Sequence, residues 1–409
     1  MTNCINCIFL LLFSTIAHIG QSQIISPFSI SNSPLPFNTV RCLEYEANTL
    51  WIGTDQGLAK FENENEWTVF NSLNSDLWND DIRAIKADGD SLLWVGTIQG
   101  GLFCFDGSNW TNYNPENSGL GDFLVRAIEI DIEGNIWVAT TEGVYMYDRS
   151  VWSSWTSNDG LLSNNITALC IGESRKFAGS INGGVLYFDP SNNFVNHTII
   201  SSGIPDNSAL NIEIDTEGML WFISPAAGLV ADQGDGGPWI SFNAINSGMP
   251  ANSLLCLKHG DEGTIYIGSE TGGLITKNEA SYQQLTTGNS NLTDNHILCL
   301  ENDSQGNLWA GTFNGGLCKI DFSLAHASSI YANEFHVYPT LVKEDKLIHF
   351  SKKITTEITI TNPMGYVLQT MVKDRDYLKL PKALNTGWFY LQFKIDGLYY
   401  RKKILILKS

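Results

Sequence analysis

The stretch "GNLWAGTFNGGLCKIDFSLAHASS", Gly306–Ser329, decides the fold, because it is a repeating unit that stops partway. An earlier copy, "GNIWVATTEGVYMYDRSVWSSWTSNDG" (Gly134–Gly160), runs past its glycine turn into a further aromatic strand, whereas the later one passes into a Ser/Ala-rich segment. The missing strand is at the other end of the chain. The segment "IISPFSISNSPLPFNTV", Ile24–Val40, aligns with the end of a unit such as "WISFNAINSGMPANSLL", Trp239–Leu255, and lacks the strands that should precede it. Pairing of residues 25–30 with 316–321 therefore completes the last unit from both ends of the chain and removes an open sheet edge.

A short pattern of the form "LW-I-G-T…G-L" recurs along the chain with its aromatic residue at Trp51, Trp94, Trp137, Phe177, Trp221, Tyr266 and Trp309, at spacings of 43, 43, 40, 44, 45 and 43. Seven copies of a unit this long, each made of short alternating runs punctuated by Gly, Asn and Asp, predict a seven-bladed β-propeller over residues 24–321. In the second copy "IRAIKA" is the inner strand A, "LLWVGT" is B, "GLFCFD" is C and "NWTNYN" is the outer strand D. The A–B turn reads "DGDS", "DIEG", "DTEG", "DEGT" or "DSQG". Aspartate accepts backbone hydrogen bonds there and glycine supplies the positive φ. No oxygen-ligand calcium loop is present, so these acids are turn residues and no metal site is expected. The tryptophans of strand B are read as packing between blades.

Composition agrees: 16% charged residues, 11% aromatics and 37 glycines suit short strands and tight turns, an all-β chain. Net charge is −19 and unevenly spread. Residues 335–409 hold 13 Lys and Arg against 6 Asp and Glu, and the remainder holds 11 against 37. So acidic a propeller lacks the cationic excess that neutralises phosphates, which argues against a nucleic-acid partner. "CIFLLLFSTIAHIGQSQ", Cys7–Gln23, has an apolar run of signal-peptide length with small residues at Gly20 and Ser22, so residues 1–22 are expected to be an export signal. Its leading "MTNCIN" carries no Lys or Arg, unlike an ordinary signal, and no other segment is long and apolar enough to span a bilayer as a helix. Cys42, Cys256 and Cys299 take the strand-A position held by Ala84, Ala127 and Ala168 in other copies, which makes them small fillers rather than a disulfide framework.

The repeats resemble a family. "NSGMPANSLLCL", "NSNLTDNHILCL" and "GNLWAGTFNGGL" resemble the two-component-regulator propeller repeat, found in periplasmic sensor regions of hybrid histidine kinases of Bacteroidota and in some secreted proteins. Kelch repeats share the Gly-Gly pairs at 100/101, 183/184, 272/273 and 315/316 but have a period nearer 50. Residues 335–409, read as a small antiparallel β-sandwich after a linker at 322–334, resemble the C-terminal sorting domain of the type IX secretion system. The matching positions are Val337, Tyr338, Pro339, Gly365, Gly387, Phe389, Gly397, Lys402 and Lys403; Thr340 and Leu341 stand where that family has Asn-Pro. The resemblance implies a Bacteroidota protein, handled by the type IX machinery and secreted or held at the cell surface.

Catalytic constellations are sparse. There is no H-E-x-x-H, G-x-S-x-G, P-loop or G-x-G-x-x-G, and the seven histidines, isolated in sequence, read as surface or capping residues. No catalytic residue and no cofactor is assigned. Because strands alternate in direction, the D–A loops and B–C turns share one face around the channel mouth, and loops there are where binding residues belong. The B–C turns place Asp55, Gln56, Gln99, Glu142, Asn182, Glu270 and Asn314 on that face. The D–A loop "NSDLWNDDI" adds Trp78, and Arg41, Arg83 and Arg126 open strand A in three successive blades. An aromatic ring among carboxamides, carboxylates and guanidinium groups suits a saccharide or a protein surface, the three arginines suiting an acidic glycan. The alternative is that Trp78 covers a blade seam and the arginines pair with nearby acids. The favoured reading is a non-enzymatic recognition propeller; the other class is a secreted polysaccharide lyase or glycoside hydrolase with its site at the channel mouth.

Overall fold

The computed structural model describes residues 23–89, 92–172, 175–232, 238–278, 281–322 and, toward the C-terminus, the strands lying between 337 and 407. The expected export signal at 1–22, the linker beyond Phe322, and Pro339, Gly365 and Gly397 lie outside the described residues.

Seven four-stranded antiparallel sheets follow one another along residues 24–321. Blade 2 shows the pattern: Ile82–Asp88 (A), Leu92–Thr97 (B), Leu102–Phe105 (C) and Trp110–Tyr113 (D). The seven A strands are neighbours around a ring, with Val40–Glu46 of blade 1 beside Ile297–Asn302 of blade 7. Seven apolar clusters fill the seven seams. The core therefore lies between neighbouring sheets, each of which is stable only against the next.

Blade 7 is completed by the N-terminal strand Ile24–Phe28, which pairs antiparallel with Leu317–Asp321 from Ile24↔Asp321 to Phe28↔Leu317. The strand starts and stops slightly earlier than expected; Ile30 lies in the turn that follows it and is exposed. Gly316 at the head of strand C has φ +84°, and a Cβ there would lie 2.1 Å from the Phe28 carbonyl oxygen. Gly101 meets Tyr113 of its own strand D in the same way, at 2.4 Å, so the N-terminal strand has the same seat as every other strand D. Ile25 packs in the seam between blades 6 and 7, and Phe28 in that between blades 7 and 1.

Six of the seven strand-B aromatics are buried and Tyr266 is half-buried: Trp94 and Trp309 are 2% exposed and Trp137 is 0%. Four of the five indoles, all but Trp51, also explain the aspartate of their A–B turn. Asp131 Oδ1 accepts the turn amides of Glu133 and Asn135, while Oδ2 accepts the Trp137 Nε1–H at 2.9 Å. The same indole bond recurs at Asp88–Trp94, Asp215–Trp221 and Asp303–Trp309. A buried donor is thus satisfied by the group that shapes the turn.

The C-terminal strands form a sheet of three and a sheet of five. All pairings are antiparallel except Leu341–Lys343 with Leu405–Leu407, which run parallel, a departure from the antiparallel expectation. Ile358, Ile360 and Leu391 are fully buried. Val337 and Tyr338 form the first strand, Gly387 and Phe389 open Gly387–Ile395, and Lys402 and Lys403 pair in register with Leu391 and Tyr390. No helix among the described residues is long and apolar enough to cross a membrane.

Candidate functional site

In six of the seven blades the A–B pairing shifts register at one residue near the start of strand A. The skipped residues are Arg41, Arg83, Arg126, Thr167, Leu255 and Leu298, and Leu210 holds the equivalent place in blade 5. A bulge at a rim re-aims the side chain it carries. Seven bulge-level residues on the innermost strands therefore ring the mouth, with cations on blades 1–3 and leucines on blades 5–7.

The cationic half forms an arc of contacts. Arg41 donates to Asp55 through Nε at 2.6 Å and Nη2 at 3.0 Å, and this hydrogen bond, with Asp55 and Asp81 as neighbouring charges, holds its pKa above the ordinary value. Its guanidinium lies 5.6 Å from the centroid of Phe313, which stacks on His296 at 4.9 Å and 24°. Arg83 pairs with Asp81 at 2.7 Å. Arg126 donates to the Asn165 carboxamide at 2.6 Å, and burial lowers its pKa although Asp122 acts the other way. Two of the three arginines thus carry carboxylates already, as the alternative reading of the sequence had it. The arc offers paired donors and acceptors rather than free cations.

Trp78 is 56% exposed and stands edge-on to the buried Phe103 with centroids 6.2 Å apart. The structure therefore brings Arg41 to Asp55 and Arg83 to Asp81 as two separate ion pairs, and sets Trp78 three residues before Asp81. Gln56, Gln99, Glu142, Asn182, Glu270 and Asn314 are exposed, one to a blade, and among the described residues no hydrogen bond joins one to another. Several acids of the D–A loops brace the adjacent turns: Asp122 accepts from Thr141, Asp206 from Ser224 and Asp294 from the Asn314 amide.

Three residues beyond each bulge position, a second ring lies deeper along the A strands: Glu44, Lys86, Glu129, Cys170, Glu213, Lys258 and Glu301. Lys86 sits 3.6 Å from Glu44 and 3.1 Å from Glu129; Lys258 sits 3.8 Å from Glu213 and 2.8 Å from Glu301. Burial pushes Glu44 and Glu213 up to about 7, against the pull of the lysines and with Glu301 and Glu129 adding to the rise. Burial also works against the charge of Lys258, but Glu301 and Glu213 outweigh it and hold the ammonium at about 12. His259 is not the surface residue expected: its side chain is 12% exposed, with Nε2 3.9 Å from Glu213, and burial lowers it to about 4. Strand A places it at the seam beside Trp221.

The sequence reading missed this ring, the apolar half of the mouth, and the His296–Phe313 stack. The signal was present in register, since the strand-A segments "RCLE", "RAIK", "RAIE", "TALC", "LNIE", "LCLK" and "LCLE" align column by column.

The two component regulator propeller family model matches residues 291–314, and no curated protein matches the chain. Among solved structures, the extracellular domain of a hybrid two component system from B. thetaiotaomicron is 17% identical with a TM-score of 0.62, covering 94% of this chain and 57% of its own. PorZ, a surface component of the type-IX secretion system of Porphyromonas gingivalis, is 18% identical with a TM-score of 0.59, covering 93% and 61%. Virginiamycin B lyase from Staphylococcus aureus is 10% identical with a TM-score of 0.59, covering 73% and 99%. The chain thus spans about three-fifths of the length of the first two, and at these identities the likeness is one of fold. The chain carries a two component regulator propeller repeat at residues 291–314 and shares its propeller fold with bacterial extracellular domains.

Proposed function

We propose that the chain is an exported, non-enzymatic recognition propeller that holds a neutral saccharide at its channel mouth. The observation that carries this reading is the half-exposed Trp78 on the D–A loop that leads into the Asp81–Arg83 pair, on the rim that also holds the Arg41–Asp55 pair. A ring face covers the apolar side of a pyranose, while a guanidinium–carboxylate pair gives adjacent hydroxyls one donor and one acceptor. An acidic glycan would have to displace Asp55 and Asp81 from their arginines, so charge neutrality is favoured. Residues 335–409 address the protein to the type IX machinery, which leaves it secreted or at the cell surface. The extracellular and surface proteins that share the fold support that location.

The propeller fold is also that of a lyase, so binding and turnover must be measured together. Glycan-array binding with turnover assays on the same polysaccharides should give binding without product, and Trp78→Ala should weaken it about tenfold. Because Trp78 is exposed, the melting temperature should stay within about 2 °C. Turnover that disappears when mouth carboxylates are replaced would establish the enzyme instead. Deleting residues 335–409 should hold the protein inside the outer membrane; unchanged export would remove the sorting role.

A further inference from the structure

On the face opposite the mouth, where blade 7 meets blade 1, a pocket of about 420 Å³ opens between Asp303, Gln305 and Trp309 on one side and Asn48, Asn63 and Glu64 on the other. The molecule itself shows what belongs there, because the same place is filled in two other seams. Between blades 2 and 3, Arg149 of the C–D turn crosses to Asp88 at 2.6 Å and to the Gly134 carbonyl at 2.9 Å. Between blades 3 and 4, Lys176 reaches Asp131 at 3.1 Å and the Asn192 carboxamide at 3.2 Å, with its ammonium 4.8 Å from the Trp137 ring.

Asp303 is built as Asp131 is: Asp131 Oδ2 accepts from Asn135 and Trp137 at 3.0 and 2.9 Å, and Asp303 Oδ2 accepts from Asn307 and Trp309 at 2.8 and 3.0 Å. The internal cation is what differs. Leu50 stands at the strand position of Lys176, and Asn63 and Glu64 stand in the C–D turn of blade 1, the counterpart of the blade 3 turn that carries Arg149. Asp303 is 8% exposed, and among the described residues no Lys or Arg pairs with it. Lys319, 5.5 Å over Trp309, is turned to Glu64 instead. The lining has two carboxylates, three carboxamides and no cation.

We propose that this pocket binds an organic cation of side-chain size, a guanidinium or alkylammonium, seated on Asp303 where the other seams hold Arg149 and Lys176. The carboxylate takes a charge-assisted hydrogen bond, and the carboxamide oxygens of Asn48, Asn63 and Gln305 are the acceptors at hand for the remaining N–H groups. The site is independent of the channel mouth.

The test titrates the full chain with Nα-acetyl-arginine amide, its neutral citrulline counterpart, agmatine and a short arginine-containing peptide, followed by calorimetry or NMR. The arginine probes should bind saturably and at least about tenfold more tightly than citrulline. Asn63→Arg, which rebuilds the Arg149 plug at a residue already in the left-handed region, should abolish binding without lowering the melting temperature, while Trp78→Ala leaves binding unchanged. Asp303→Asn should also lose it, and if that variant fails to fold the Asn63→Arg result stands alone. A peptide binding more tightly than agmatine marks a basic side chain as the occupant, and the reverse marks a free amine. Equal binding of arginine and citrulline amides, unchanged affinity in Asn63→Arg, or no saturable binding of any cation would each overturn the proposal.

Discussion

The cysteine placed opposite a glycine shows how closely the inner strands approach. Cys42 pairs across strands with Gly53, Cys256 with Gly268 and Cys299 with Gly311, and a Cβ on any of the three glycines would lie 2.4 Å from the facing sulfur. Where strand A has alanine at this position in blade 3, Ala127, strand B can carry Ala139. Gly53→Ala should therefore cost about 1–3 kcal/mol in denaturant unfolding. Adding Cys42→Ala should recover part of it, the remainder coming from the Ile82 methyl 2.7 Å away. A double variant no more stable than Gly53→Ala would show that the sulfur is not the obstacle. The sequence marked these cysteines as small fillers because alanine alternates with them; the glycine partner needed the cross-strand register. Similarly, the turn aspartates were legible as backbone acceptors, but the second oxygen's bond to an indole six residues on was not, because it depends on how the strand hairpin folds the ring back.

At the scale of strand A, side chains three residues apart serve two levels of the channel, and the deeper level titrates. Glu44 has a folded pKa of about 7 against an ordinary value of 4.5. A carboxyl raised in the folded state contributes stability that is fully present below pH 4.5 and is lost as the pH rises through about 7. Glu44→Gln removes that titration. Chemical denaturation of wild type and variant across pH 4–8 should show the wild type losing on the order of 1–3 kcal/mol relative to the variant between those limits. Parallel pH profiles would contradict the burial of this ring. Glu213 is a poorer choice because His259, lowered to about 4, sits against it and contributes a slope of opposite sign between pH 6.5 and 4. Strand boundaries and order were readable from alternation and from the glycine turns. The division of the mouth into a charged and an apolar half was present only as the first column of the aligned strand-A segments, and which column faces the mouth is set by a bulge, a property of the pairing.

For the whole molecule, seven A strands closing a ring set the mouth, the ionic ring and the seam pocket alike, and that closure depends on strand Ile24–Phe28 lying on Leu317–Asp321. This was the most legible feature of the chain, because an unfinished unit at one end and an orphan strand at the other are visible without any three-dimensional information. The seam pocket was the least legible, since it arises from what Leu50 and Asn63 do not provide at positions that only the closed ring brings beside Asp303. Deleting residues 24–36 leaves blade 7 with three strands, exposes the edge of Leu317–Asp321 and removes Ile25 from the blade 6–7 seam and Phe28 from the blade 7–1 seam. Each lost apolar side chain is worth about 1.5–3 kcal/mol, before the strand's hydrogen bonds are counted. The decisive measurement is the thermal melting curve of that deletion beside the full chain. The closed-ring account predicts a fall of roughly 10 °C or more, and a melting curve that does not move would contradict it.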